Sequence, residues 1–452
     1  MRQSAVRFLL IALAGFTCSC MSRPEEKLTA ITPEGVRVSL DSITTSYEVS
    51  GVRIIHRPVY AHDVVTANLY LLGGTRQLTV DNAGIEAMLL RVSEYGTRRR
   101  STEELRRATA LTGSEIGVHP GVDYTAFGFV GIKQEFDSMW TLLAERLMQP
   151  ALDSTAIELV RSQMIGSARS RRNTPDAHVF YLADSAAFEG HPYGLEPSGT
   201  EHSLARITRA DLQQYLDEQM VTSRMLLVVV GDVPRATIED AVQSTIGTLS
   251  RGSYVWTTPP PIPERSSAVV MEQRLLNTNY ILGFFNGPPT THEDYTAFQL
   301  ATAFLSSGMT REIREERSLS YAVYAPFMER AIPAGGVYVT TGAPATVVPL
   351  IRAEIEELQE HYIAPQGMSF FTRQWITGYF GEHETTEEQA DLLARAELYR
   401  GDYRESVRLM QELRRVRPSD VRRVARLYMT DVQFAYLGDT TRVEREEFEK
   451  FR

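Results

Sequence analysis

The feature that most constrains this chain is that it is written twice. "RADLQQYLDEQMVTSRMLLVVVGDV" (209–233) and "PSDVRRVARLYMTDVQFAYLGDT" (418–440) share one plan. The interval from Asp211 to Met220 recurs from Asp420 to Met429, and each is followed by a β-rich run ending in Gly231-Asp232 or Gly438-Asp439. Each copy reads as a helix with its Asp at the N-cap, leading into a buried strand. An opening strand recurs as well, "NLYLLGG" from Asn68 and "NYILGFFNG" from Asn279, at about the same offset. Two matches at one offset indicate a duplicated domain. A chain of 452 residues is also too long for one ordinary core.

The division falls at "TTPPPIPERSS" (257–267), where four prolines in five positions favour an extended, semi-rigid linker. The resulting organisation is a signal segment (1–20), a first unit (30–250), a linker region (251–267) and a second unit (268–445). Within each unit the order is strands, helices, a strand pair, more helices and a last strand. Helices are predicted at 101–112, 136–148, 154–172, 293–306, 346–361 and 387–399. The fold class is therefore α+β, with two tandem homologous domains, each a largely antiparallel sheet with helices packed on one face.

Composition excludes some functions. With 43% hydrophobic and 23% charged residues the chain is that of a soluble globular protein rather than a disordered one. A net charge of −10 and the lack of a basic domain argue against a nucleic-acid partner. Arg98 to Arg100 and "RSRRN" from Arg169 read as short solvated stretches.

"MRQSAVRFLLIALAGFTCSC" opens the chain with Arg2 and Arg7, an apolar run from Phe8 to Phe16, then small residues and cysteine. The run is too short to span a bilayer. Both cysteines, Cys18 and Cys20, lie here, so the mature body carries no disulfide. The pattern resembles a bacterial lipoprotein signal, with Cys20 as the lipidated residue in preference to Cys18; the alternative is ordinary secretion with cleavage nearby. The expected location is the cell envelope, as a periplasmic or outer-membrane lipoprotein held by its lipid anchor.

Several stretches, in order, resemble the pitrilysin-like peptidases, also called the M16 or insulinase-like family. They are "GGTRQLTVDNAGIEAMLLRVSEYGT", "LTGSEIGVHPGVDYTAFGF" with Asp123-Tyr124, "GHPYG" (190–194) with Gly199-Thr200, and "REIREERSLSYAVYA" from Arg311. The family's inverted zinc motif is His-x-x-Glu-His. Two imidazoles one helical turn apart, with a distant carboxylate, hold the metal, and the glutamate serves as base on the bound water. Counting back from Gly96-Thr97 puts Ala87 and Arg91 at the histidine positions and Leu90 at the base position. Ala and Leu cannot ligate or carry a proton, and Arg91 repels a dication. The third ligand should fall near Gly166 or Ser167, yet no Asp or Glu occurs between Leu159 and Pro175. No zinc and no other cofactor is expected. Ile85, Met88, Leu89 and Val92 then read as the apolar stripe of an ordinary packed helix. His383 and Glu387 share helical spacing but read as a solvated pair.

The resemblance implies one surviving site. The C-terminal signature carries an arginine and, seven residues on, a tyrosine; here they are Arg314 and Tyr321 in "REERSLSY". A guanidinium can hold a substrate carbonyl or carboxylate, and a phenol can donate to a developing oxyanion. The plain alternative makes Arg314 a helix-surface charge and Tyr321 a strand-core residue. Gly308 departs from the family, which has a further arginine there. The function implied is a non-catalytic subunit of a heteromeric zinc peptidase, partnered by an active M16-type subunit and acting on peptide or unfolded polypeptide. The alternative is a catalytically inert peptide-binding or scaffold lipoprotein.

Overall fold

The computed structural model describes residues 29–31 and 37–451. The expected signal segment, with Cys18 and Cys20, lies outside them. Among the described residues no helix is long and apolar enough to cross a membrane.

Two six-stranded mixed sheets form the framework. The first runs Thr45–Val49, Val52–Arg57, Met225–Val230, Val64–Leu72, Tyr124–Ile132, Glu115–Pro120. The second runs Ser320–Tyr324, Ala334–Thr341, Asn279–Asn286, Gln433–Gly438, Ala268–Gln273, with Phe327–Met328 joined to Ala334–Thr341. Each sheet has one parallel pairing, and in both it joins the unit's last strand to an opening strand: Val52–Arg57 with Met225–Val230, and Ala268–Gln273 with Gln433–Gly438. All other pairings are antiparallel. The repeated sequence thus yields a repeated topology, with Thr45–Val49 added at one edge.

The helices that precede the last strands, Arg209–Gln219 and Pro418–Tyr428, correct one expectation. Asp211 and Asp420 are not N-caps but third-position residues. Their carboxylates reach back to the backbone N–H of Thr208 (2.8 Å) and Arg417 (3.0 Å). Each carboxylate thus satisfies the N–H of the N-cap residue, the reciprocal half of a capping box, rather than a first-turn N–H.

Each sheet carries its own unit's helices on one face. The opposite face is covered by a helix from the other unit. Leu227 and Val229 point into the first unit's helical core, whereas Leu226, Val228 and Val230 pack against Ala390, Leu393 and Ala394 of the helix Thr386–Arg400. In return, Val179, Ala183 and Ala187 of the helix Pro175–Ala187 pack on Leu282, Phe284, Ala435 and Leu437 of the second sheet. Burial on both faces is why "MLLVVV" is apolar without alternation. Polar contacts orient the exchange: Thr66 Oγ1 with Thr386 Oγ1 (2.7 Å), the Tyr70 hydroxyl with Asp391, and His178 Nε2 with Glu272 (2.8 Å). Each large apolar side chain buried there contributes roughly 1.5–3 kcal/mol, against about 1 kcal/mol net for a hydrogen bond. Apolar area therefore dominates the joint between the units, and the polar contacts set its register.

Candidate functional site

The helix Ile85–Val92 begins where two backbones nearly touch. Gly84 has φ +87°, and a Cβ on it would lie 2.6 Å from the Cα of Gly199, which itself has φ +81°. Neither position tolerates a side chain, so the Gly-Ile start and Gly199-Thr200 fit as a pair. Beyond it the helix is enclosed more completely than a stripe. Ile85, Met88, Leu89 and Val92 are buried, but so are Ala87 and Leu90, at 0% and 1% exposure.

Its one carboxylate is engaged. Glu86 accepts from Arg224 Nη2 and from the Tyr215 hydroxyl, both at 2.9 Å. Arg224 is buried and also donates to the carbonyls of Leu72 (2.7 Å) and Gln219 (3.0 Å). Burial, with Glu86 adjacent, pushes the Tyr215 hydroxyl well above its usual range. Arg91 is half-buried, and its Nε has no hydrogen-bond acceptor among the described residues. At the expected third-ligand position Gly166 and Ser167 are exposed, and a Cβ on Gly166 would meet nothing within 4 Å. Among the described residues no group of three His, Cys, Asp or Glu could hold a metal ion. A zinc ion does not fit this helix, because a closed apolar core and a cation occupy its ligand positions.

Arg314 and Tyr321 do come together. The helix Tyr295–Met309 continues into a wider π-turn, Thr310–Glu316, and the chain then reverses into the edge strand Ser320–Tyr324. Ser318 N–H donates to the Arg314 carbonyl (3.2 Å) and Leu319 N–H to the Ile313 carbonyl (2.9 Å), closing the helix end. Ser318 takes φ +54° in that reversal. The Arg314 guanidinium lies 5.1 Å from the Tyr321 ring centroid, within cation–π range. Tyr321 is 85% exposed, so the strand-core reading of this residue is wrong; Val323 is the buried residue of that strand. Gly308, where the resemblance led us to expect arginine, faces the Glu354 carboxylate, which burial holds above the usual carboxylate range.

Two of the family-like motifs have a structural job. Asp123 is buried between the units and accepts from the Tyr193 hydroxyl (2.8 and 3.0 Å to its two oxygens) and from Ala331 N–H (3.0 Å). Tyr193 belongs to "GHPYG", and His191 of the same motif reaches the Pro260 carbonyl of the linker (3.0 Å). Arg330 then pairs with Asp184 (3.2 Å) and lies over the rings of Phe188 and Tyr193.

The sequence reading missed the helix Pro365–Glu382 and what it carries. Trp375 stacks on Tyr379 (5.4 Å) and Tyr379 on His383 (4.1 Å), a ladder with one residue per turn. His383 is half-buried there, with Nδ1 2.7 Å from the Tyr379 carbonyl, so it is not one of a solvated pair with Glu387. The spacing of four between Phe371, Trp375, Tyr379 and His383 was the available signal.

Known proteins share this fold and parts of this sequence. A family model described as the peptidase M16 inactive domain matches residues 206–366. Cytochrome b-c1 complex subunit 1 of Mus musculus is 22% identical over 247 residues, 54% of this chain and 52% of that one. The match thus spans about half the length of that relative. An uncharacterized zinc protease of Bacillus subtilis is 21% identical over 391 residues, 84% of this chain and 94% of the relative. Among solved structures, a peptidase M16 inactive domain from Pseudomonas fluorescens superposes with a TM-score of 0.79 at 15% identity, covering 89% of this chain and 99% of that one.

Proposed function

We propose, on the premise that the chain belongs to the pitrilysin-like (M16) peptidase family as a member lacking the His-x-x-Glu-His motif, that it is the non-catalytic subunit of a heteromeric zinc peptidase. One contrast carries the reading: Ala87 and Leu90 are sealed in the core, while Arg314 and Tyr321 stand side by side at the surface. Both are on a short helix-to-strand reversal at the edge of the second sheet, where a docked chain can reach them.

In this role Arg314 holds a carbonyl or carboxylate of a peptide bound against the partner subunit. Tyr321 donates its phenolic proton as a hydrogen bond to the oxyanion that forms as the peptide carbonyl is attacked. The cation–π contact limits the rotation of both side chains, so part of the ordering cost is met before substrate arrives. The partner, an active M16-type zinc subunit, supplies the metal chemistry. The proposal retains a mature N-terminus at lipidated Cys20 in the cell envelope.

The test is co-purification from native membrane, followed by a peptidase assay with and without this chain. We expect an M16-type subunit carrying an intact His-x-x-Glu-His to co-purify and to lose most activity when this chain is removed. Full activity of that subunit alone, or a purified complex with no peptidase in it, would favour the inert scaffold reading instead.

A further inference from the structure

A cavity of about 910 Å³ lies between the helix Tyr295–Met309 with its π-turn, the helix Pro365–Glu382 and the exchanged helix Thr386–Arg400. It is separate from the proposed pair, since neither Arg314 nor Tyr321 lines it. Its size is that of a small-ligand or side-chain site rather than a packing defect.

Three properties of its lining point one way. The first is an aromatic wall, in which Trp375 and Tyr379 are stacked faces of the ladder described above. The second is charge: five carboxylates line the cavity against two guanidiniums. Three of the five are already engaged, Glu329 by Arg395 (3.1 Å), Asp391 by the Tyr70 hydroxyl and Glu388 by the Thr385 hydroxyl (2.7 Å). Glu315 and Glu382 form no hydrogen bond or ion pair among the described residues. The third is a buried acceptor. Gln299 is 7% exposed, lines the cavity, and its Oε1 has no hydrogen-bond partner. An unmet buried carbonyl costs about 1–3 kcal/mol, so a donor arriving from the cavity would recover it.

We infer that this cavity binds the cationic side chain of a polypeptide, an arginine guanidinium by preference to a lysine ammonium. A guanidinium matches all three properties at once: a planar cation stacks on the Trp375 indole at the end of the Trp375–Tyr379–His383 ladder, its N–H groups donate to the Gln299 carbonyl, and its charge is met by Glu315 and Glu382. An anionic ligand is disfavoured by the carboxylates, and a neutral aromatic one leaves them uncompensated. The inference does not depend on a peptidase partner, because the cavity is formed wholly by this chain.

The test therefore uses the purified chain by itself, so its outcome is separate from that of the subunit proposal. Titration calorimetry would compare a Gly-Ser-flanked peptide with one arginine, the same peptide with citrulline in its place, and spermidine. Citrulline keeps the planar shape but removes the charge and replaces one NH2 donor group with a carbonyl acceptor. We expect the arginine peptide to bind about tenfold more tightly than the citrulline peptide and ahead of spermidine. Gln299→Leu and the surface change Glu382→Gln should each weaken it severalfold, with unchanged circular dichroism. A lysine peptide should bind more weakly than the arginine peptide, and Trp375→Leu should weaken the arginine peptide severalfold because the stacking face is lost. Equal binding of arginine and citrulline peptides, no binding at millimolar concentration, or wild-type affinity in Glu382→Gln would overturn the inference. Tighter binding of spermidine than of the peptide would overturn the assignment to polypeptide.

Discussion

The Arg314 guanidinium stands 5.1 Å from the centre of the Tyr321 ring, although seven residues and a helix-to-strand reversal separate them in the chain. The contact depends on the π-turn ending at Glu316 and on the positive φ of Ser318, which return the strand beside the helix that precedes it. In the reconstituted complex, Tyr321→Phe should leave assembly intact and lower turnover by about 10²–10³, the usual cost of one oxyanion donor. Arg314→Ala should chiefly raise KM, because the charge-assisted contact precedes the transition state. Steady-state kinetics read both, and wild-type kcat and KM in the two variants would remove these residues from the proposed role.

The buried pair of Glu86 and Arg224 ties the helix Ile85–Val92 to the turn that leads into the first unit's last strand. Glu86→Leu strands the Arg224 charge and should destabilise the protein by about 3–5 kcal/mol. Glu86→Leu combined with Arg224→Met should recover much of that loss, since both charges then leave the core together. Urea denaturation of the two single variants and the double variant checks this; a single-variant loss below 1 kcal/mol would contradict it.

His56 gives the fold an acid sensitivity. Burial pushes its pKa down to about 4, with the Arg235 charge adding to the shift and a hydrogen bond to the Gly231 backbone opposing it. The folded state thus prefers the neutral ring, while the unfolded chain takes up its proton near pH 6.5. Its contribution is present above that pH and is lost as pH falls toward 4, by about 3 kcal/mol between pH 7 and pH 4. Replacing it by leucine should flatten this part of the stability–pH curve. A slope unchanged between wild type and His56→Leu would show that the group does not titrate as described.

Asp123 is the polar pin between the units. Asp123→Ala removes the acceptor of both the Tyr193 hydroxyl and the Ala331 N–H, leaving two buried donors unmet at about 1–3 kcal/mol each. Hydrogen exchange at the amides of Ala331 and Ile332 should accelerate well before exchange in Met225–Val230 does. Unchanged protection at Ala331 would show that the apolar packing alone holds the joint.

Much of this could be read along the chain because it is local. The spacing from Asp211 to Met220 and from Asp420 to Met429 announced a repeated helix-to-strand unit, and the structure repeats its topology. The predicted helices at 101–112, 136–148 and 154–172 appear as Thr102–Thr112, Phe136–Met148 and Ser154–Asn173. That Ala87, Leu90 and Arg91 offer no metal-ligating group is likewise a property of the residues themselves, independent of the fold. Periodicity and side-chain chemistry are properties of a segment, and they survive into the folded state.

What only the tertiary structure decided is which surface meets which. The apolar positions Val179, Ala183 and Ala187, like Ala390, Leu393 and Ala394, mark faces that must be buried, but nothing in their period says that each face crosses to the other unit's sheet. Asp123 and Tyr193 could be matched to motifs without revealing that they meet Ala331 across the joint. The cavity behind Trp375 and Tyr379 depends on the helix Tyr295–Met309 meeting the later pair Pro365–Glu382 and Thr386–Arg400, and the unmet Gln299 acceptor exists only once they enclose it. A residue's hydrophobicity determines that it leaves water; which neighbours replace the water is settled by long-range packing.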